Sequence, residues 1–200
     1  MIRPLLFSYP YAVIFGAVFV VNFLQERRRF VRQQAREGAG ESLQDQGSKG
    51  LMIQGIQFAS GLAVLLALFV PSATILPGHQ EKVFWTGIGL MLSSMILREH
   101  CFRMLGDHFN PIVSVQARQP IIKRGAYKWV RHPSYLGVLL MYAGVGLALT
   151  NWFSVLAYLV ITAAVLGRRI QVEENIMLET LGTPYRDYMR RTKRLVPLIF

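Results

Sequence analysis

The run Arg131-His132-Pro133-Ser134-Tyr135-Leu136-Gly137 sets a guanidinium, an imidazole and a phenol around one proline. Proline turns the residue before it away from helical conformation and suits the first turn of a helix. A helix is therefore predicted to start at Pro133, where Arg131 and the free amides of the helix start would form an anion site. A capped helix with a snorkelling Arg131 is the plainer reading of the same residues. Gly137 either admits another backbone or serves ordinary helix packing. Further along, Glu173 and Glu174 follow Arg169. Arg169 and Glu173 stand four apart, the spacing of a local ion pair, which leaves Glu174 beside a like charge with no partner. Paired carboxylates at the end of an apolar helix are costly unless a cation meets them. A ligand ammonium or sulfonium would supply one. An anion site and an anionic pair together suit a zwitterion such as the amino-acid end of S-adenosylmethionine.

The elements that must position these groups are apolar. Of the 200 residues, 52% are hydrophobic and 16% charged, against about 25% charged in ordinary soluble domains, and mean hydropathy is +0.34. A membrane span takes about 20 apolar residues. Residues 5–24, 51–70 and 83–97 qualify or nearly do, the third extending helically through residues 98–105; residues 135–150 and 152–166 form two shorter runs joined at Asn151. Backbone in lipid must bond internally, so all are read as helices. The expectation is an all-α integral membrane protein of about five transmembrane helices, the last two forming a C-terminal hairpin. Residues 1–97 hold the N-terminal helices and residues 98–200 the catalytic region.

The net charge is +11. All the Lys and Arg except Arg3 and Lys82 fall in three regions between or after these segments. The positive-inside rule then puts the N-terminus outside and the basic regions in the cytoplasm, where they attract anionic membrane lipids. Charge spent on topology argues against nucleic acid as a partner. Residues 5–24 read as an anchor, since an Arg cluster follows them and no small-residue cleavage site does. Residues 37–50 are polar with four glycines and predict a flexible cytoplasmic loop, and residues 71–80 an outer loop. Residues 171–191 continue the last span into the cytoplasm, interrupted at Gly182-Thr183-Pro184. Gly55, Ala59, Ala63 and Ala67 form a small-residue stripe suited to close packing.

Taken in order, the RHPSYLG run, the Glu173-Glu174 pair, Leu181-Gly182-x-x-Tyr185-x-x-Tyr188 and Leu195-Val196-Pro197 resemble the isoprenylcysteine carboxyl methyltransferase family and its phospholipid-methyltransferase relatives. Leu105-Gly106-Asp107-His108-Phe109-Asn110 and Gly125-Ala126-Tyr127 fall at the family's spacing. The resemblance covers about residues 98–197; the N-terminal helices match in kind. It implies a multi-span enzyme with a cytoplasmic S-adenosylmethionine pocket and a lipid-side entrance for its acceptor. His132, Tyr135, Glu173 and Glu174 should contact the cofactor, with Gly125, Tyr127 and Arg131 around it. Gln119, Ile121 and Ile122 should lie along the adenine through backbone groups; eukaryotic members have a His where Gln119 stands. Arg98 and Arg169 occupy positions similar to the arginines that the family uses near the acceptor.

Methyl transfer asks an enzyme mainly to hold nucleophile and donor about 3–3.5 Å apart. A carboxylate acceptor is already ionised at pH 7, and Arg98 could hold it in bidentate fashion. An amine acceptor must lose a proton, which calls for a base such as Glu99, His100 or His108. Carboxyl O-methylation of an isoprenoid or lipid-like acceptor is the leading expectation, and phospholipid or amine N-methylation the alternative. Outside that class stand a sterol-reductase-like enzyme using a nicotinamide cofactor, which would need a phosphate-reading basic site and more spans, and a non-enzymatic membrane scaffold. Gly38-Ala39-Gly40 lies in a polar loop and Gly87-Ile88-Gly89 in an apolar helix, so neither is a dinucleotide fingerprint. His100, Cys101, Asp107 and His108 look like metal ligands, but a helix sets His100 and Asp107 about two turns apart and no metal is expected. Compact size, Arg-rich inner loops and the lack of a presequence point to a bacterial or archaeal inner membrane; an endoplasmic-reticulum membrane fits the same topology. The pattern assigns no oligomeric state.

Overall fold

The computed structural model describes residues 5–34, 47–70, 78–106 and 120–195. Their regular structure is helical: α1 (Tyr11–Gln34), α2 (Ser48–Phe69), α3 (Gln80–Leu105), α4 (Pro133–Ala148), α5 (Trp152–Leu181) and α6 (Thr183–Arg191). Short 3-10 turns occupy Leu5–Phe7 and Gly125–Lys128. Among the described residues the one β-type pairing is a parallel bridge between Val130 and Lys193. The loops expected at residues 37–50 and 71–80 fall largely outside the described residues.

Each boundary has a local cause. Helix α1 begins after Pro10, whose carbonyl accepts from the amides of Val13 and Ile14, six residues later than the apolar run begins. It then runs on through Glu26, Arg27, Arg28 and Arg29, residue types that propagate helix well. Helix α3 stops at Gly106 (φ +54°) and α5 at Gly182 (φ +61°), the left-handed region that glycine enters without a Cβ clash. Pro184 sits in the first turn of α6. Between α4 and α5, Asn151 caps the second helix: its Oδ1 accepts from the Ser154 amide at 3.1 Å, and its Nδ2 donates to the Val70 carbonyl at 2.9 Å.

The five expected spans are not equally self-sufficient. Among the described residues, Gly50–Phe69 and Trp152–Leu181 are long and apolar enough to cross a bilayer, and Pro133–Ala148 is apolar but short. At 1.5 Å per residue α4 reaches about 24 Å, less than a hydrocarbon core of about 30 Å. Helices α1 and α3 spend their last turns on charge, which dilutes their apolar stretches. Large apolar side chains nevertheless face outward along the bundle: Phe23, Phe58, Phe69, Ile96 and Val160 are each more than half exposed. An apolar exterior of that extent needs lipid rather than water around it.

Inside, close approach replaces bulk. Helix α3 packs on α4, α2 on α5, and α4 on α5. The Gly55/Ala59/Ala63/Ala67 stripe lies in the second of these contacts. A Cβ at Gly55 would stand 2.5 Å from Val165 Cγ1, Ala59, Ala63 and Ala67 are buried, and Ser154 Oγ donates to the Ala63 carbonyl at 2.7 Å. Helices α3 and α4 cross where Gly87 and Gly144 touch, a Cβ at either falling 2.6 Å from the other's carbonyl oxygen. Gly87→Ala is therefore expected to lower stability by about 1–3 kcal/mol, read as a lower Tm in detergent. Gly89→Ala, on the same helix but with open space around it, should leave Tm near that of wild type.

Candidate active site at the charged end of the bundle

Glu26 and Arg29 of α1 and the C-terminal part of α3 meet the start of α4 at one end of the bundle, where α5 reaches the start of α2. A backbone clasp organises α4's start. The Arg131 amide donates to the Lys193 carbonyl at 2.8 Å, the Lys193 amide to the Trp129 carbonyl at 3.2 Å, and the His132 amide to the Arg194 carbonyl at 3.0 Å. The segment after α6 thus lies beside residues 129–132. The His132 carbonyl accepts from the amides of Tyr135 and Leu136, which starts the helix at Pro133.

Glu174 is the centre of the first cluster. Its Oε1 accepts from Arg131 Nε at 2.7 Å and lies 3.3 Å from His132 Nε2, while Oε2 accepts from Arg194 Nε at 3.0 Å. The expectation that Glu174 lacks a partner is thereby overturned. One residue on from Glu173 is a turn of about 100° around the helix, which aims Glu174 at α4's start and the C-terminal clasp. The anion site expected at Arg131 is corrected for the same reason. Its guanidinium is taken by Glu174 and by the carbonyls of Met189 (3.1 Å) and Thr192, and the His132 amide by Arg194.

Glu173 faces a different way. Tyr135 Oη donates to its Oε2 at 2.7 Å and accepts from Arg169 Nε at 2.9 Å. A phenol on another helix thus bridges Arg169 and Glu173, and Arg169 Nη1 also donates to Ser48 Oγ at 3.1 Å, at α2's start. His132 Nδ1 lies 3.9 Å from Glu173 Oε2, and the His132 and Tyr135 rings stack at 5.5 Å. The two carboxylates differ sharply in access: the Glu173 side chain is 28% exposed and that of Glu174 3%.

Arg98 belongs to a second cluster on the other side of α4's start. Its Nη2 and Nε donate to Glu26 at 2.6 and 3.1 Å, and its Nη1 donates to the Ser134 carbonyl at 3.0 Å. Arg29 also holds Glu26 (2.6 Å) and reaches across to Glu99. Both guanidiniums lie over the Phe102 ring, Arg29 at 4.4 Å and Arg98 at 5.1 Å. Gly137 is what admits Arg98: a Cβ there would stand 2.5 Å from Arg98 Cγ, and Ser94 Oγ donates to the Gly137 carbonyl at 2.6 Å.

Between the clusters and the C-terminal helix lies the turn at Gly125–Lys128. Gly125 (φ +59°) packs on α3, with His100 Nε2 and Met104 in the space of a missing Cβ. Tyr127 is buried, its phenol beside Ser134 and Cys101 and its carbonyl accepting from Tyr188 Oη at 2.7 Å. Burial pushes the Tyr188 phenol up to about 12 and raises those of Tyr127 and Tyr185, so all three stay neutral donors at physiological pH. Ile121 and Ile122 are half-buried in irregular backbone just ahead of this turn. Gln119, Asp107 and His108 lie outside the described residues.

The structure thus gathers Arg131, His132, Tyr135, Arg169, Glu173 and Glu174 and sets Arg98 with Glu26 instead. Glu26, Ser48 and Arg194 were missed by sequence reasoning. Glu26 carried a signal, being a carboxylate where an apolar segment turns to arginine; Ser48 and Arg194 carried none, since only folding brings them to Arg169 and Glu174. Chemically, the first cluster offers a half-open carboxylate that can accept from an ammonium, and the second a guanidinium with bidentate geometry.

Residues 87–179 match the isoprenylcysteine carboxyl methyltransferase (ICMT) family. The chain is 29% identical over 127 residues to protein-S-isoprenylcysteine O-methyltransferase of Tribolium castaneum, covering 62% of this chain and 45% of that protein. It is 26% identical over 144 residues to protein-S-isoprenylcysteine O-methyltransferase B of Arabidopsis thaliana, covering 69% and 73%. The solved structure of the eukaryotic intramembrane Ras methyltransferase ICMT matches with a TM-score of 0.67 at 20% identity, over 98% of this chain and 70% of that one. The structural likeness is one of fold, and the match spans about half the length of the beetle relative.

Proposed function

With residues 87–179 a segment of the isoprenylcysteine carboxyl methyltransferase family, we propose that the chain is an integral membrane S-adenosylmethionine-dependent methyltransferase that esterifies the carboxylate of an isoprenoid or other lipid-like acceptor. The observation that carries this reading is the pairing of a half-open Glu173, held by Tyr135 and Arg169, with a closed Glu174 at one end of an apolar bundle. The donor set fits the cofactor's amino-acid end, with a revision: Glu173, not Glu174, is the carboxylate with room for an ammonium. Tyr135 fixes it from one side, while His132 and Arg131 hold Glu174 as the inner wall. Ile121 and Ile122, with Gln119 outside the described residues, would lie along the adenine, and Gly125 and Tyr127 would belong to the same pocket.

When bound, the cofactor supplies an electrophilic methyl group on a sulfonium. This chain's residues then have three tasks. Arg98 orients the acceptor carboxylate, which needs no base at pH 7. Arg169 fixes the Tyr135 phenol, so that the donor-side carboxylate keeps one position. The aromatic and apolar packing around Tyr127 and Tyr188 excludes water, which strengthens the electrostatic contacts inside. Basic residues cluster at this end, which supports an N-terminus outside and an active site facing the cytoplasm. Residues 98–200 would form the catalytic region and residues 1–97 the helices that seat it.

Calorimetric titration of S-adenosylhomocysteine into detergent-solubilised protein tests the reading. Wild type should bind in the micromolar range, and Glu173→Gln about 10–100-fold more weakly, the cost of one charge-assisted hydrogen bond. Folded wild type that binds no S-adenosylhomocysteine would overturn the assignment of donor; equal binding by both proteins would remove Glu173 from it.

A further inference from the structure

The Arg98 side chain is 13% exposed, and a permanent charge so enclosed is costly without a counterion. Glu26 supplies it, with two contacts on one edge of the guanidinium, Nη2 at 2.6 Å and Nε at 3.1 Å. That edge is the fork that matches a carboxylate, while Nη1 is spent on the Ser134 carbonyl. An incoming carboxylate and Glu26 therefore compete for the same donors.

We propose that Glu26 is a specificity-determining residue of the acceptor site, an internal carboxylate that holds the guanidinium of Arg98 and yields it to the carboxylate of the acceptor. This rests on the reading of Arg98 as the acceptor's anchor. Three features make the exchange feasible. Glu26 has a second cation in Arg29, 2.6 Å from Oε1, so it is not stranded on release. Its side chain is 34% exposed, and water can follow it. Among the described residues the connected network Arg98–Glu26–Arg29–Glu99–Arg103 sets three guanidiniums against two carboxylates, so one further anion brings that set to neutrality. Until then Glu26 repels any other anion that lacks the tail to dock beside it, which restricts the site to carboxylates delivered from the apolar side.

The experiment measures binding of S-farnesyl-N-acetylcysteine and of its methyl ester to full-length protein in detergent, with S-adenosylhomocysteine titrated in parallel. In Glu26→Gln the free acid should bind roughly tenfold more tightly, about 1.4 kcal/mol, with the ester and S-adenosylhomocysteine unchanged. Glu26→Asp, one methylene shorter and still charged, should give a smaller gain in the same direction and decides the matter if the Gln variant does not fold. Unchanged acid affinity, or equal tightening of acid and ester, overturns the proposal. Weaker acid binding also overturns it and makes Glu26 a supporting residue, or the counterion of an amine acceptor. Absent S-adenosylhomocysteine binding by wild type is a different failure, that of the methyltransferase reading itself.

Discussion

Glu174→Gln should destabilise the protein by about 3–5 kcal/mol, the range for breaking a buried ion pair from one side. The Arg131 side chain is 8% exposed and that of Glu174 3%. Removing the negative charge leaves Arg131 enclosed among carbonyls and His132, and weakens the contact of Arg194 Nε to residue 174. A glutamine can return one acceptor oxygen but not the charge, and its amide would point a donor at one of its former donors. Glu173→Gln is the matched control, since its carboxylate is more open and its Tyr135 contact survives the change. Thermal unfolding in detergent should therefore show a large fall in Tm for the first variant and little for the second. Similar Tm values for the two would mean that the cluster does not hold the α4 start to the C-terminal segment.

Arg98→Ala should lower turnover by about 10²–10³-fold, the scale of removing one group that stabilises charge where the chemistry occurs, with S-adenosylhomocysteine affinity kept near wild type. The two clusters lie on different sides of α4's start, Arg98 on Ser134 and Glu26, Glu173 on Tyr135, and this separation is the basis for expecting acceptor and donor effects to come apart. Arg98→Lys should recover little, because a point charge cannot reproduce a bidentate fork. Radiolabelled methyl transfer beside calorimetry reads both quantities. Loss of S-adenosylhomocysteine binding in Arg98→Ala would move this arginine to the donor side.

What was legible in the sequence follows from the range of the forces involved. The helix start at Pro133, the break at Gly182 before Pro184 and the small-residue stripe of α2 are written locally, in a proline, a glycine and a period of four. The RHPSY run and the Glu173-Glu174 pair were legible as polar groups in need of partners for the same reason, and the structure brings them together. The partners of the charges were not. Arg131 meets Glu174 across 43 positions and Arg98 meets Glu26 across 72, and hydrophobic periodicity says which faces turn inward without saying which charges meet there. The local rule told only part: the i,i+4 spacing of Arg169 and Glu173 suggested a pair, and it could not foresee that Tyr135 from α4 bonds to both. Span lengths were blurred because apolar count alone does not register where Pro10 permits a helix to begin.

The clasp between residues 129–132 and 193–194 also makes the charged end depend on a segment that no membrane helix contains. In a chain cut before Thr192 the Arg131 and His132 amides lack their carbonyls and Glu174 lacks Arg194. The packing of α3 on α4 and of α2 on α5 does not run through that segment, so such a chain would keep its bundle and lose the closure of its charged end.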